Sequence, residues 1–300
     1  MNKIVLYLNK IINLHMVSKM VDYDLHIHSN FSDGKLNPRQ IFEVAQNIGL
    51  TGFSITDHDT VGAIDECLFL VNEYKIDFIP GLELSTDFNG LEVHLLGYFI
   101  DHKNKFLCEF LEKFKNARFT RAQEIINILK NMNYDISLEE VIVEAGNNYD
   151  SIGRPHIARL LVKKGYYKEL QDVFKILLNK NRPAYVERYK INLLEAIELI
   201  NLAKGVPVLA HPLGLEGMCR NSEFEQFIKT LTFKGLKGVE IFHPMHSLED
   251  EKYLKVLAKK YGLMVTGGSD CHGNIKDNKY QIGEKGIGLK EINRLRSLVR

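Results

Sequence analysis

The chain has 300 residues, 45% hydrophobic and 26% charged, with a formal net charge of +1. That is the composition of a folded protein with a real core, either one large α/β barrel or two ordinary domains. Near-neutral charge makes no general case for a nucleic-acid or membrane surface, and no apolar run approaches the ~20 residues of a membrane span. The four cysteines (Cys67, Cys108, Cys219, Cys271) are scattered without a CxxC pair. Free thiols in a reducing compartment, the cytoplasm, are expected.

Residues 1–20 are apolar with interspersed lysines, and Asn9 and Lys10 interrupt any signal-type apolar core. They read as an N-terminal extension without function, with Met16 and Met20 as alternative starts. Val21–Ser29 reads as the first strand. Side chains two apart on a strand share a face, so His26 and His28 point together, while Leu25 and Ile27 take the other side. Asp33 follows in a Gly-containing turn. Asn37-Pro38 opens a helix that stops at Gly49. Gly52–Thr56 is a short strand delivering Asp57-His58-Asp59, and Thr60–Tyr74 a second helix. Ile76–Ile79 is a strand ending in Pro80-Gly81-Leu82-Glu83. Leu91–Ile100, with His94 inside it, is another.

The alternation, which favours a parallel α/β arrangement, breaks at residues 101–190. Phe106, Phe110, Leu111 and Phe114 fall at helical spacing, as do Ile125, Ile126 and Leu129, with further helices at Leu138–Glu144, Pro155–Lys164 and Leu170–Leu178. This stretch reads as a helical insertion or cap. It holds seventeen basic and twelve acidic residues, net +5, leaving −4 for the rest. An ordinary solvated surface would explain that charge; so would a cationic lid over an anionic substrate. Residues 21–100 and 191–300 would form the barrel. After the insertion come a helix at Leu193–Ala203, the strand Val206–Ala210 delivering His211, a helix at Glu223–Phe233 and the strand Gly238–Phe242. A helix at Leu248–Tyr261, the strand Leu263–Gly267 delivering Asp270 and His272, and a helix at Glu291–Val299 complete the chain.

Six of the eleven histidines (His26, His28, His58, His94, His211, His272) and three acids (Asp33, Glu83, Asp270) thus gather at or near strand ends, where α/β barrels keep their working residues. One such histidine is easily a packed core residue; six converging with carboxylates are metal ligands. Imidazole with carboxylate suits zinc, manganese or iron rather than calcium. Nine ligands exceed what one catalytic ion uses, about three, so two or three divalent ions are expected. Paired ions serve displacement at phosphorus. Three ions at +6 against three carboxylates at −3 would favour a phosphate over a neutral substrate.

These stretches, DLHIHSNFSDG, ITDHD, IPGLELS, VHLLGY, LAHP and GGSDCHG, resemble the PHP (polymerase and histidinol phosphatase) domain superfamily across about residues 21–275. The resemblance implies a distorted (β/α)7 barrel with three metals. One ion would be held by His26, His28, Glu83 and Asp270, a second by Glu83, His94 and His211, and a third by Asp33, His58 and His272. The insertion and the segment Gly153-Arg154-Pro155-His156 resemble the stand-alone bacterial branch, with nucleoside 3′,5′-bisphosphate phosphatases and 5′→3′ exoribonucleases among its members. The implied activity is metal-dependent hydrolysis of a phosphorylated nucleotide or short RNA, with no obligatory protein partner. Glu83, His211 and Arg154 would carry the catalysis. Arg154 and His156 would contact substrate phosphate, with Arg118, Arg121 and His243 as further substrate contacts. Asp57 and Asp59 would orient loops or ligands, Cys271 would be structural, and His15, His102 and His246 would lie on the surface. Histidinol phosphatase, an amidohydrolase and a non-catalytic scaffold module are the alternatives.

Overall fold

The computed structural model describes residues 21–146, 152–214, 217–276 and 279–299; the extension 1–20, with His15, lies outside them. Strands β1 (Tyr23–Ile27), β2 (Gly52–Ile55) and β3 (Asp77–Phe78) form one parallel sheet. A second sheet runs in the order β6 (Ile191–Asn192), β4 (Gly81–Phe88), β5 (Leu91–Tyr98), β7 (Val206–Leu209), β8 (Gly238–Phe242) and β9 (Met264–Gly267). Isolated parallel bridges, Ile27 to Cys271 and His58 to Glu83, link the two sheets. A small hairpin pairs β10 (Ile275–Lys276) with β11 (Lys279–Tyr280).

Helices cover the sheets where their sequence predicts. Helix α1 (Pro38–Ile48) starts on Asn37, whose side chain accepts from Gln40 N–H while Gln40 returns a bond, and it stops at Gly49 with φ +75°. That pairing satisfies two otherwise unpartnered N–H groups of the first turn. Helix α2 (Ile64–Tyr74) begins four residues later than its periodicity suggests, with Asp65 and Glu66 at its positive end. The middle of the chain supplies α3 (Lys105–Asn131), α4 (Leu138–Glu144), α5 (Arg154–Lys163) and α6 (Leu170–Val173), the last continuing as a π turn over Phe174–Leu178. Helices α7 (Leu193–Leu202), α8 (Ser222–Phe233), α9 (Leu248–Tyr261) and α10 (Leu289–Arg296) complete the set among the described residues.

Two differences from the sequence reading shape the site. The stretch after Pro80 is a full strand, β4, and it pairs antiparallel with β5, which in turn pairs antiparallel with β7. The regular parallel alternation therefore holds only outside this hairpin. In β1 the register shifts between Asp24 and Ile27, so Leu25 and Ile27 pack in different apolar clusters rather than on one face. Residues between Ala122 and Ala184 form an apolar cluster of their own, apart from the two that pack on the sheets.

Candidate metal centre

All nine expected ligands meet at one end of the sheets, around Glu83. This carboxylate is 1% exposed and its two oxygens face different partners. Oε2 lies 3.3 Å from His26 Nε2, 3.3 Å from His28 Nε2 and 3.2 Å from His58 Nδ1. Oε1 lies 2.9 Å from His94 Nδ1 and 3.1 Å from His211 Nε2. Asp270 Oδ1 closes the first group, 3.1 Å from His28 Nε2 and 3.5 Å from His26 Nε2. Asp33 Oδ1 lies 3.4 Å from His272 Nε2, and the ring of His272 stacks on His28 at 4.2 Å. Ligand atoms of His28, Asp33, His58 and His272 all fall within 4.8 Å of one another.

The backbone is shaped to allow this. A Cβ on Gly268 would meet the His26 backbone nitrogen at 2.3 Å, and one on Gly34 the His28 carbonyl at 2.3 Å. Only a residue without a side chain lets those segments approach so closely. His211 (φ +25°), Asp270 (φ +52°) and Asp59 (φ +53°) hold left-handed conformations. Such strain persists only where surrounding structure enforces it, and it clusters at working sites. Asp57 supplies some of that enforcement. It accepts from Ser29 N–H at 2.7 Å and from the Ser32 hydroxyl at 2.6 Å, fixing the loop after β1.

The donors fit divalent ions. His26 Nε2, both nitrogens of His28, His58 Nδ1 and both nitrogens of His94 are buried without a hydrogen-bond partner, although carboxylate oxygens lie within 4 Å. Orphaned buried polar atoms are rare, and imidazole nitrogens set against carboxylate oxygens, one ligand atom from each residue, are what a cation satisfies. Electrostatics agrees. Burial pushes Glu83, Asp33 and Asp270 toward neutrality, yet the surrounding histidines outweigh it and hold all three well below the usual carboxylate range. Burial drives His58 down to about 3, keeping that ring neutral. On His28 the balance goes the other way: burial opposes charge, but Asp270 and Glu83 raise it to about 10, so a cation bound there would have to displace its proton.

Beside Asp33 and His58 opens a cavity of about 120 Å³, whose other wall carries Arg118, Arg121, Arg154 and Arg188. Arg118 and Arg121 stand three apart on α3, hence on one face. Asp59, a neighbour of His58, accepts from Arg118 Nη2 at 2.8 Å and Arg188 Nη2 at 2.6 Å. Arg118 also donates to the His58 carbonyl at 2.7 Å, tying α3 to a candidate ligand. Arg121 donates to the Val186 carbonyl at 2.8 Å and leaves Nη2 buried and unpartnered. Arg154 donates to the Leu178 carbonyl at 3.0 Å and lies over the rings of Phe174 and Tyr185. Among the described residues no carboxylate comes within ion-pair distance of Arg121 or Arg154. Burial and the neighbouring guanidiniums lower both, Arg121 to about 10.

Other expectations sort by hydrogen bonding. His156 is buried, and its Nδ1 accepts the Gly153 N–H at 3.2 Å; only Nε2 is left for a substrate. His243 is buried among His26, His211 and Asp270 and does not line the arginine cavity. Cys271 packs in the core. His246, expected on the surface, is buried instead with both ring nitrogens engaged, Nδ1 to the Ile241 carbonyl and Nε2 to the Leu213 N–H. His102 pairs with Asp65 at 2.9 Å. The sequence reading passed over Arg188 and Glu240. Glu240 is a fully buried acid in the apolar strand GVEIF, and that position alone marks it, since a buried charge needs a partner. A larger cavity of about 480 Å³, lined by Val21, Phe242, Lys255 and Met264 among others, includes none of the nine ligands.

Comparison with known proteins places these features in a lineage. A 3′,5′-nucleoside bisphosphate phosphatase of Chromobacterium violaceum is 31% identical over 253 residues, 84% of this chain and 88% of that protein. The 5′-3′ exoribonuclease Rnm of Escherichia coli is 32% identical over 260 residues, 84% of this chain and 85% of that one. A solved structure from Bifidobacterium adolescentis, described as a candidate metal-dependent phosphoesterase, superposes with a TM-score of 0.84 at 29% identity, covering 93% of this chain and 96% of that one. Residues 24–191 match the model of the PHP domain, and with that match the chain belongs to the PHP domain family.

Proposed function

We propose that the Glu83-centred cluster and the arginine cavity together hydrolyse a nucleotide phosphate ester that carries two phosphates, a nucleoside 3′,5′-bisphosphate or the 5′ end of an RNA. The chain is a metal-dependent hydrolase of phosphoester bonds. The observation that carries the choice of substrate is the adjacency of the two sites: Asp33 and His58 belong to the cluster and also line the cavity of four arginines. Two or three divalent ions, manganese, zinc or iron, would be held by His26, His28, Glu83 and Asp270, by Glu83, His94 and His211, and by Asp33, His58 and His272. Bound there, they supply Lewis acidity toward a phosphoryl oxygen and lower the pKa of water.

The chain's own residues do the rest. Glu83 presents Oε2 to His26, His28 and His58 and Oε1 to His94 and His211, so it links the ligand groups and sets their spacing. His211 holds the far side of that bridge. Asp59 keeps Arg118 and Arg188 aimed into the cavity before substrate arrives, so little ordering is left to the binding step. Arg154 and Arg121, which no carboxylate among the described residues pairs, take the phosphate that does not react; a guanidinium grips it with two parallel bonds. His156 offers Nε2 as a further donor. Ile125, Ile152 and Phe174 line the same cavity and exclude water, which strengthens each charged contact.

In this reading the two sheets are the staves of a distorted (β/α)7 barrel, and residues 101–190 are its cationic cap. No helix among the described residues is long and apolar enough to cross a membrane. The four free cysteines fit a reducing compartment, the cytoplasm in this reading. The test is a side-by-side assay of metal-loaded protein on a nucleoside 3′,5′-bisphosphate, 5′-phosphorylated RNA and histidinol phosphate. Higher kcat/KM on the bisphosphate or the RNA is expected. Preference for histidinol phosphate would overturn the two-phosphate reading, and inactivity on all three the hydrolase reading.

A further inference from the structure

Strand β8 supplies none of the nine ligands, yet it lies between β7 and β9, which lead into His211 and Asp270. Glu240, inside β8, and His243, the residue just after its end, reach ligands held by other segments. Glu240 Oε1 lies 3.0 Å from His26 Nδ1, and Oε2 accepts the backbone N–H of His211 at 2.9 Å. An ionised carboxylate can only accept, so His26 Nδ1 carries a proton and Nε2 is the nitrogen left to face a cation. That Nε2 faces Glu83 and Asp270. The second bond holds the His211 backbone in its left-handed conformation.

His243 has the opposite polarity. Its Nδ1 accepts the Met245 N–H at 3.2 Å, which puts the proton of the neutral ring on Nε2. Nε2 lies 3.5 Å from Asp270 Oδ2, close to it but without a formed hydrogen bond. His243 is within ligand distance of His26 and Asp270, but it turns a proton toward them rather than a lone pair. That suits it to steering Asp270, whose other oxygen faces His28 at 3.1 Å.

We propose that β8 and the residue that follows it orient the metal centre: Glu240 sets His26 and His211, and His243 sets Asp270. Three ligands from three other segments of the chain are aimed by a segment, 240–243, that contributes none. The inference rests on the reading of the cluster as a metal centre. Glu240 and His243 are positioning residues, and neither touches substrate.

Glu240→Gln tests it because it keeps the shape and breaks the polarity. An amide offers one accepting oxygen and one donating nitrogen. With its oxygen toward His26, its nitrogen opposes the His211 N–H. Turned over, its nitrogen opposes the His26 Nδ1 proton and drives it to Nε2, where the lone pair is needed. Full-length protein stripped with EDTA is titrated with Mn²⁺ or Zn²⁺ by calorimetry, and bound metal is counted by mass spectrometry. The wild type is expected to take up two or three ions. Glu240→Gln should lose about 10–100-fold in affinity for at least one of them, with the stripped protein's circular dichroism and thermal midpoint at or above wild type. His243→Gln, whose amide nitrogen replaces Nε2 as donor, should bind metal within a few-fold of wild type; His243→Leu should not.

Wild-type affinities in Glu240→Gln would overturn the role of Glu240. Equal metal loss in His243→Gln and His243→Leu would make His243 a ligand and overturn its steering role. The His243 pair decides the matter even if Glu240→Gln does not fold. A wild type that binds no divalent ion would sink the metal-centre reading itself, a result distinct from a wild type that binds and variants that match it.

Discussion

Glu83 is a carboxylate sealed inside the protein, and only the rings around it keep it charged. Its two oxygens serve two ligand groups, so replacing one of them disturbs both. Glu83→Gln is expected to lower turnover about 10²–10³-fold, the size of loss typical when one preorganised electrostatic contributor is removed. Turnover within a few-fold of wild type at full metal loading would contradict the bridging role. Arg154 works at the other phosphate. Arg154→Ala should cut kcat/KM for a bisphosphate by about 10–150-fold, the equivalent of one charged hydrogen bond of roughly 1.5–3 kcal/mol, and for a simple monoester only mildly. Equal losses on both would assign Arg154 to the reacting phosphate or to the fold. The nine clustered residues were legible because each sits in a short motif, most of them at a strand end and Glu83 and His94 inside strands β4 and β5. Arg188 was not, because nothing local distinguishes it: its role comes from Asp59, 129 positions away in sequence. Glu240 was legible in principle, as an acid inside an apolar strand, but its partners, His26 and the His211 backbone, lie 214 and 29 positions away.

Elements with a helical period and a clear stop were legible to within a few residues, since capping chemistry is local. Asn37 with Gln40, and Gly49 after α1, show it. Strand β4 was not, because Pro80-Gly81 looks like the end of an element, and the antiparallel pairing it begins depends on β5. The turn between them held the clue. Asn89 and Gly90 both have positive φ, as the tight hairpin turns that favour Asn-Gly require. Helix α5 carries its own prediction. His156 is 4% exposed at its first turn, and burial with Arg159 nearby pushes its pKa down to about 4. An unfolded imidazole takes its proton near pH 6.5. The stability contributed by the neutral ring is therefore complete above pH 6.5 and is lost as the pH falls toward 4, by up to about 3 kcal/mol. Asn keeps an acceptor for the Gly153 N–H and does not titrate. In EDTA, the urea midpoint of the wild type should fall more steeply from pH 7 to 4.5 than that of His156→Asn. Parallel curves would remove His156 as the titrating group.

At the scale of the whole molecule, the ligands come from both sheets. His26 lies in β1 with His28 just after it, and His58 follows β2; Glu83, His94, His211, Asp270 and His272 stand on or after β4, β5, β7 and β9. Among the described residues, direct strand bridges between the sheets are confined to Ile27 with Cys271 and His58 with Glu83. Ions bound among these ligands would therefore cross-link two sheets that the backbone joins sparsely, and the unfolded chain has no preformed site. Binding only to the folded state stabilises it by about 2.7 kcal/mol when free metal exceeds its dissociation constant 100-fold. The thermal midpoint of the full chain should thus rise with the logarithm of added Mn²⁺ or Zn²⁺ and drop by several degrees in EDTA. The effect should be largest for amides of β1 and β9, where hydrogen exchange should quicken after chelation. Glu83→Gln, lacking the charge shared by both ligand groups, should show a shallower dependence of midpoint on metal. Should the midpoint ignore both metal and chelator, the nine residues would not hold ions in the folded state, and their convergence would need another explanation.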